Sequence, residues 1–433
     1  MSAESADTTV GPGRARWNNL FQALQKMGRS LQLPIAVLPA AGILNRLGQP
    51  DVFGADGLGW TDVSKVMAGA GGALLDGQLG LPLLFCVGVA IGMAKKSDGS
   101  TALAAVAGFL VYYNVLRQFP EGCGEGLEAV PGIGCQGTED GTVVAFTYQN
   151  PGVFGGIVIG LLAAYFWQRF HRTKLVDWLG FFNGRRLVPI IMSFVAIAFA
   201  ALCLWIWPPI GDALESFSDW LDGLDAWGAG IFGVANRALL VIGLHQFLNV
   251  PIWFQFGSYT KPDGTTVHGD INMFLAGDPD AGQFTSGFFP IMMFALPAAA
   301  LAITHCARPG RRKEVGGLML SVALTSFVTG ITEPIEYSFL FVAPVLYAIH
   351  AVLTGVSMAV TWGLGVHDGF SFSAGFIDYV INWGLATRPW AIIPIGLCFA
   401  LVYYAVFRFA ITRFDLKTPG REPEEEREDI TKA

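Results

Sequence analysis

Charge is what this chain has least of. Asp, Glu, Lys and Arg make up 14% of its 433 residues, where an ordinary soluble domain carries about a quarter. Hydrophobic residues make up 53% and mean hydropathy is +0.49, a balance that argues against a water-soluble globule. Basic residues are outnumbered, 27 against 34 acidic, and the net charge of −7 leaves no basic face for nucleic acid. The six cysteines form no Cys-x-x-Cys, and there is no His-Glu-x-x-His, so no metal is expected. A Gly-x-x-x-x-Gly-Lys-Ser/Thr phosphate cradle and a Gly-x-Ser-x-Gly elbow are also missing, which excludes ATP binding by that loop and acyl chemistry by that serine. No cofactor is expected. Nor is a cleavable signal peptide: the first eighteen residues are polar, and the first apolar run lies later, among further spans.

What the chain has instead is apolar runs near 20 residues, recurring along almost its whole length, as a bilayer core demands. The expected fold class is an all-α integral membrane protein in contact with membrane lipid. Basic residues set its orientation. Arg14, Arg16, Lys26 and Arg29 precede a first span near 32–48, and Lys95 and Lys96 follow a second near 70–94. Arg169, Arg172, Lys174, Arg185 and Arg186 separate a fourth span (152–168) from a fifth (187–209). The alternate loops are acidic: Asp51, Asp56 and Asp62; Glu121, Glu125, Glu128, Glu139 and Asp140; Asp212, Glu215, Asp219, Asp222 and Asp225. The N-terminus is therefore expected in the cytoplasm, with residues 1–16 disordered. Trp17 to Leu31 has the spacing of an amphipathic helix, lying at the interface or on a surface. The tail after Arg408 is charged and expected to be cytoplasmic.

Cys86, Cys203, Cys306 and Cys398 lie in apolar runs and read as small core hydrophobes. Cys123 and Cys135 share the second acidic loop, in a compartment that permits disulfides, with glycines between them that let the chain turn back. A structural bridge is expected there; two free thiols are the alternative.

Simple alternation fails in the second half. Residue 211 is reached outside, yet Arg308, Arg311, Arg312 and Lys313 belong inside, and two apolar segments, 231–257 and 286–306, lie between. One of them must break or re-enter. The segment 231–257 contains Asn236, Arg237, His245, Gln246, Asn249 and Pro251, an expensive set for a lipid-facing helix, and reads as interrupted. A second break is marked by Gly330-Ile331-Thr332-Glu333-Pro334-Ile335-Glu336, where apolar sequence on both sides encloses two carboxylates and a proline. An acidic side chain at bilayer depth costs about 2.5–3.5 kcal/mol on insertion scales. Broken backbone is tolerated there only where protein buries it or it lines a cavity. A pair of interrupted segments is a pointer to a carrier's binding site.

Glu333 is the expected catalytic carboxylate, able to accept a hydrogen bond from a hydroxyl or take its proton. Glu336, one turn on, is expected to share its face as a supporting or structural residue, and Asn236 is expected to be a supporting residue. Arg237 reads as a substrate contact or as half of a structural ion pair. A lone helical histidine is often only a core residue, but Gln246, Asn249 and Pro251 follow His245 within a few positions, so a polar cavity is favoured there. Gln246 and Asn249 extend that polar wall. The polar loop from Gly257 to Gly287, carrying His268 and Asp270, reads as a lid or wall of the cavity or as a solvated loop. His367-Asp368-Gly369-Phe370-Ser371 interrupts another apolar region, and His367 and Ser371 suit sugar recognition or a polar turn.

These residues resemble a known family. Gly330 to Pro334 is similar to the signature of the sugar-transporting enzyme IIC proteins of the bacterial phosphotransferase system. The resemblance runs through Asn236-Arg237, Gly243 to Gln246, His268 to Ile271, Ser286 to Pro290, Ser371 to Gly375 and Leu416 to Arg421. It covers nearly the whole chain from about Trp17, and is most like the N-acetylglucosamine members of the glucose/N-acetylglucosamine/maltose branch. It implies a homodimer with about ten spans and two re-entrant hairpins per protomer. It also implies an N-terminal half (17–230) holding the dimer contacts and a C-terminal transport half (231–415) holding the sugar. His245 and Glu333 match the family's polar pair beside the sugar's 6-hydroxyl, which a phosphocysteine on a IIB domain phosphorylates. In many relatives the stretch from Lys417 leads into a fused IIB. Here 416–433 reads as an acidic tail, so a separate phosphorylated IIB is the expected partner. Glucose or another hexose by the same mechanism, a transporter driven by protonation of Glu333, and a sugar sensor are the alternatives.

Overall fold

The computed structural model describes residues 26–421, apart from 28–29, 32–33, 35, 76–78, 120–126, 133, 138–142, 146–149, 243–244, 262–265 and 341. The tail 1–16, most of the expected helix 17–31 and the last twelve residues, 422–433, lie outside the described residues. So does Cys123, and of Cys135 only the backbone is described, so the expected bridge also falls outside.

The described chain is built mainly of helices. The first half runs through α1 (Leu38–Leu47), α2 (Thr61–Leu75), α3 (Gly80–Met93), α4 (Gly99–Leu116), α5 (Val153–Phe170) and α6 (Leu187–Asp222). The second half follows with α7 (Ala226–Leu240), α8 (His245–Phe254), α9 (Asp270–Leu275) and α10 (Leu296–Cys306), the last entered through a π-helical turn at Pro290–Ala295. It ends with α11 (Arg312–Thr329), α12 (Glu333–Leu340), α13 (Pro344–Gly363), α14 (Phe376–Ile381) and α15 (Ile392–Arg413). The all-α expectation needs one amendment, because two small antiparallel sheets sit in the connections. One joins Leu127–Val130, Gly134–Gly137 and Val143–Ala145; the other is a hairpin of Ser258–Thr260 with Thr266–His268.

Among the described residues five helices are long and apolar enough to cross a membrane, or six if the bent pair α2 and α3 is one span. That pair meets at 48°, so the expected span 70–94 is broken near its start. The expected span 152–168 is α5. The expected span 187–209 continues to Asp222: hydropathy falls at the acidic stretch, but helix formation does not stop there. At 36 residues α6 is about 54 Å long, well beyond a bilayer core of about 30 Å. Its apolar side is turned outward, with Phe194 and Trp205 more than two-thirds exposed, as a lipid-facing helix requires.

The second half is held together by close helix contact. A Cβ on Gly355 of α13 would lie 2.6 Å from the Gly230 carbonyl and 2.4 Å from Val234 on α7, so only glycine lets these two backbones touch. That contact sets α7, which carries Asn236 and Arg237, directly against α13. Three apolar clusters fill the interior, and the largest joins Leu75, Leu81 and Phe85 of the first half to Phe232, Phe288 and Phe370 of the second.

Candidate functional site

Both expected interruptions are present. The first falls between Leu240 and His245, separating α7 from α8. The second falls at 330–332, between α11 and α12. Gly330 ends α11 in a left-handed conformation, φ 73°. A Cβ there would lie 2.5 Å from the Ser373 hydroxyl oxygen, which itself donates to the Gly330 carbonyl at 3.0 Å. The break is thereby stitched to the loop 371–375. That loop is cradled in turn by Asp378 of α14, whose carboxylate accepts from the backbone N–H groups of Ser371 (2.6 Å), Phe372 (3.2 Å) and Ser373 (3.4 Å).

The two breaks and this loop meet around one cavity of about 560 Å³, within the range of small-molecule sites. Asn236, Arg237, His245, Gln246 and Asn249 line it from the helices of the first break; Thr332, Glu333 and Ser371 line it from the second break and the loop. Trp253, Phe288, Phe370 and Phe372 add aromatic surface, and Leu38 and Pro39 close it from α1. Glu333 is the first residue of α12, and its partly exposed side chain faces the cavity. The Gln246 amide lies 3.0 Å from His245 Nε2, while the buried Nδ1 has no partner among the described residues. The Ser371 hydroxyl is buried and unpartnered in the same sense. Such groups suit a polar ligand, since an unsatisfied buried group costs about 1–3 kcal/mol.

Arg237 is half of a structural ion pair, one of the two readings given to it. It borders the cavity, and its Nη1 donates to Glu336 Oε1 at 2.8 Å in a fully buried ion pair. Glu336 is not beside Glu333 on the cavity face. Positions i and i+3 are about 60° apart around a helix, which is enough to send Glu333 into the cavity and Glu336 behind its wall. There His350 Nε2 donates to the same Oε1 at 3.0 Å. Asn236, expected as a supporting residue, lines the cavity and donates to the Asn249 side-chain oxygen.

Three expected contacts are not brought to this cavity. His268 is exposed, its Nδ1 donating to the Gly257 carbonyl at 2.9 Å. Asp270 is buried and holds its own loop by accepting from Gly282 N (2.7 Å) and Phe284 N (3.0 Å). Burial pushes its carboxyl up to about 6, against the pull of those two donors. His367 stacks on Trp362 with ring centroids 4.0 Å apart and donates to the Pro279 carbonyl at 2.7 Å. The loop 257–287 does form wall: Ile271 lines the cavity and residues 281–289 are buried.

Sequence reasoning missed His350, Asp378 and the link from the first half. That link is Arg46 of α1, 1% exposed, which forms a two-pronged ion pair with Asp51 at 2.7 and 2.6 Å. It also donates to the side-chain oxygen of Asn382 at 2.7 Å. His350 and Asp378 are polar within apolar sequence, but neither stands beside a helix-breaking proline as Glu333 does, and nothing local marks the partner of Arg46.

A polar cavity formed where broken helices meet, inside a bundle with lipid-facing helices, defines a membrane carrier. Residues 28–355 match the family described as "Phosphotransferase system, EIIC". The chain is 64% identical over 429 residues to the "PTS system N-acetylglucosamine-specific EIIC component" of Streptomyces coelicolor, covering 99% of this chain and 100% of the relative. It is 46% identical over 406 residues to the "PTS system N-acetylglucosamine-specific EIICB component" of Bacillus subtilis, covering 94% and 80%. A solved structure, the transporter ChbC, the IIC component from the N,N'-diacetylchitobiose-specific phosphotransferase system, overlaps with a TM-score of 0.49 at 16% identity. That overlap covers 93% of this chain and 94% of the other. The chain belongs to the phosphotransferase system EIIC family, the sugar-transporting integral membrane components of that system.

Proposed function

We propose that the chain imports N-acetylglucosamine and presents its 6-hydroxyl to a separate phosphorylated IIB protein. The observation that carries this is the meeting of both helix breaks at one cavity, with His245 and Glu333 on its walls, in a chain 64% identical to a relative named for that sugar. The 6-hydroxyl oxygen attacks the phosphorus of the IIB phosphocysteine. An O–P bond forms, the S–P bond breaks, the thiolate leaves, and the hydroxyl proton passes to Glu333 or His245. Arg237 Nε and Ser371 Oγ, both buried without partners among the described residues, serve sugar oxygens and the acetamido group. Asn236, Gln246 and Asn249 complete the polar wall.

The carrier works as a homodimer by alternating access, each protomer crossing the bilayer about ten times with two re-entrant hairpins and both termini in the cytoplasm. Residues 17–230 hold the dimer contacts and add apolar wall to the cavity, and 231–415 carry the polar groups that hold the sugar. The test uses membranes containing the full chain, a purified IIB and its upstream phosphoryl donors. Labelled N-acetylglucosamine should be phosphorylated, and excess glucose should compete weakly, since a site that pairs a buried polar group rejects an analogue lacking it by a large factor. Equal competition would replace the sugar by a broader hexose class. Accumulation of unmodified sugar without IIB would overturn the group-transfer step.

A further inference from the structure

Behind the cavity wall, polar side chains from four helices form one buried chain. Arg237 of α7 donates from Nη1 to Glu336 Oε1 of α12 at 2.8 Å, and His350 Nε2 of α13 lies 3.0 Å from that oxygen. His350 Nδ1 lies 2.9 Å from the Tyr403 hydroxyl of α15. From α13 the Tyr347 hydroxyl donates to the Arg237 backbone carbonyl at 2.6 Å. All five residues are buried. The direction of the chain follows from its ends. Arginine only donates and a carboxylate only accepts, so a neutral His350 presents Nε2–H to Glu336 and accepts at Nδ1 from the Tyr403 hydroxyl, which also lies 3.3 Å from the His350 carbonyl.

None of these contacts reaches the cavity except through Arg237. The guanidinium stands at the wall with its carbon 5.0 Å from the Phe288 ring centre, and its Nε is buried with no partner among the described residues. A carboxylate held by one donor can swing about its own bonds and let the guanidinium turn with it. A second donor on a separate helix, even on the same oxygen, narrows that swing, and a histidine fixed at its far nitrogen is a stiffer second donor than one left free.

We infer that His350 and Tyr403 are positioning residues for sugar binding: through Glu336 they fix the orientation in which Arg237 offers its remaining N–H groups to the sugar. This rests on the sugar-site reading above. The role is distinct from mere packing, because it depends on hydrogen-bond donors rather than on side-chain volume.

The experiment measures the KM and kcat of N-acetylglucosamine phosphorylation for full-length variants in membranes with excess IIB, and the Kd for the sugar in detergent. His350→Leu should raise KM and Kd about fivefold or more, the scale of one lost charge-assisted hydrogen bond, and change kcat less. His350→Gln, whose amide can still donate to Glu336, should recover most of the loss. A purely structural role would instead lower the amount of active protein and leave KM unchanged. Unchanged KM in His350→Leu overturns the inference, and so does a His350→Gln as impaired as His350→Leu. Should His350→Leu fail to fold, Tyr403→Phe removes one hydroxyl and keeps the ring; a rise in KM of about twofold or more supports the inference and an unchanged KM overturns it. Glu333→Gln, run alongside, separates the two readings. If it is wild-type, the sugar site falls and this inference with it. If it is inactive while His350→Leu is wild-type, this inference falls alone.

Discussion

A carboxylate at the wall of a membrane cavity is held there against its own hydration, and Glu333 is held by position rather than by an ion pair: the cation near it, Arg237, is bonded to Glu336. On the proposed function, that leaves the Glu333 carboxylate for the sugar. Glu333→Gln keeps the size of the side chain and one acceptor but cannot take a proton. Phosphorylation by membranes supplied with IIB should fall about a hundredfold or more, the usual worth of general-base assistance. The Kd for the sugar, measured by calorimetry, should move far less. Turnover equal to wild type would remove the role. Glu333 was legible because a carboxylate beside Pro334 in apolar sequence has no bland explanation. His350 was not, although it is as polar and more deeply buried, because a single histidine inside the apolar helix α13 looks the same in sequence whether it fills core or bonds a carboxylate.

Helix breaks carry the site, and a glycine carries one of the breaks. Gly330 needs its left-handed φ of 73° to end α11, and it also needs to lack a side chain, because Ser373 and the Ala374 backbone nitrogen lie within 3.0 Å of where a Cβ would stand. Gly59 has nearly the same φ, 72°, but open space around it. Gly59→Ala should therefore cost only the conformational penalty, about 1 kcal/mol. Gly330→Ala should cost that plus the displacement of the 371–375 loop, about 3 kcal/mol or more in all, with sugar binding lost in the same variant. Thermal unfolding of the purified proteins in detergent, with and without sugar, checks this. Equal melting temperatures for the two variants would mean that the Gly330–Ser373 contact does not hold the break.

The whole molecule combines an orientation written in its loops with a cavity assembled from both halves. If basic loops face the cytoplasm, Lys95→Cys should react with an impermeant maleimide only from that side, and Asp56→Cys, on an exposed acidic turn, only from outside. Reversed labelling in right-side-out vesicles would invert the topology. The halves are not independent around the site. Arg46 and Asn382 tie α1 to the chain after α14, Asn382 also donates to the Gly369 carbonyl at 2.9 Å, and Leu38 and Pro39 line the cavity. No sequence pattern signals such a link, because its partners stand 336 residues apart.

The membrane class, the helices at 153–170 and from 187 onward, and both helix breaks were determined by the sequence alone. All of these are local: each depends on hydropathy, charge or a helix-breaking residue over a few turns, and the cost of polar groups in lipid makes the local signal strong. Tertiary structure alone decided which polar residues face the cavity and which face one another. It turned Glu336 away from Glu333, brought Asn236 to the wall, left His268, Asp270 and His367 in the loops, and selected Ser371 from the 367–371 stretch. The physical reason is that a polar group in low dielectric must find a partner or a ligand. Which of these it finds depends on helix rotation and close packing, such as the glycine contact between α7 and α13, that no single segment encodes.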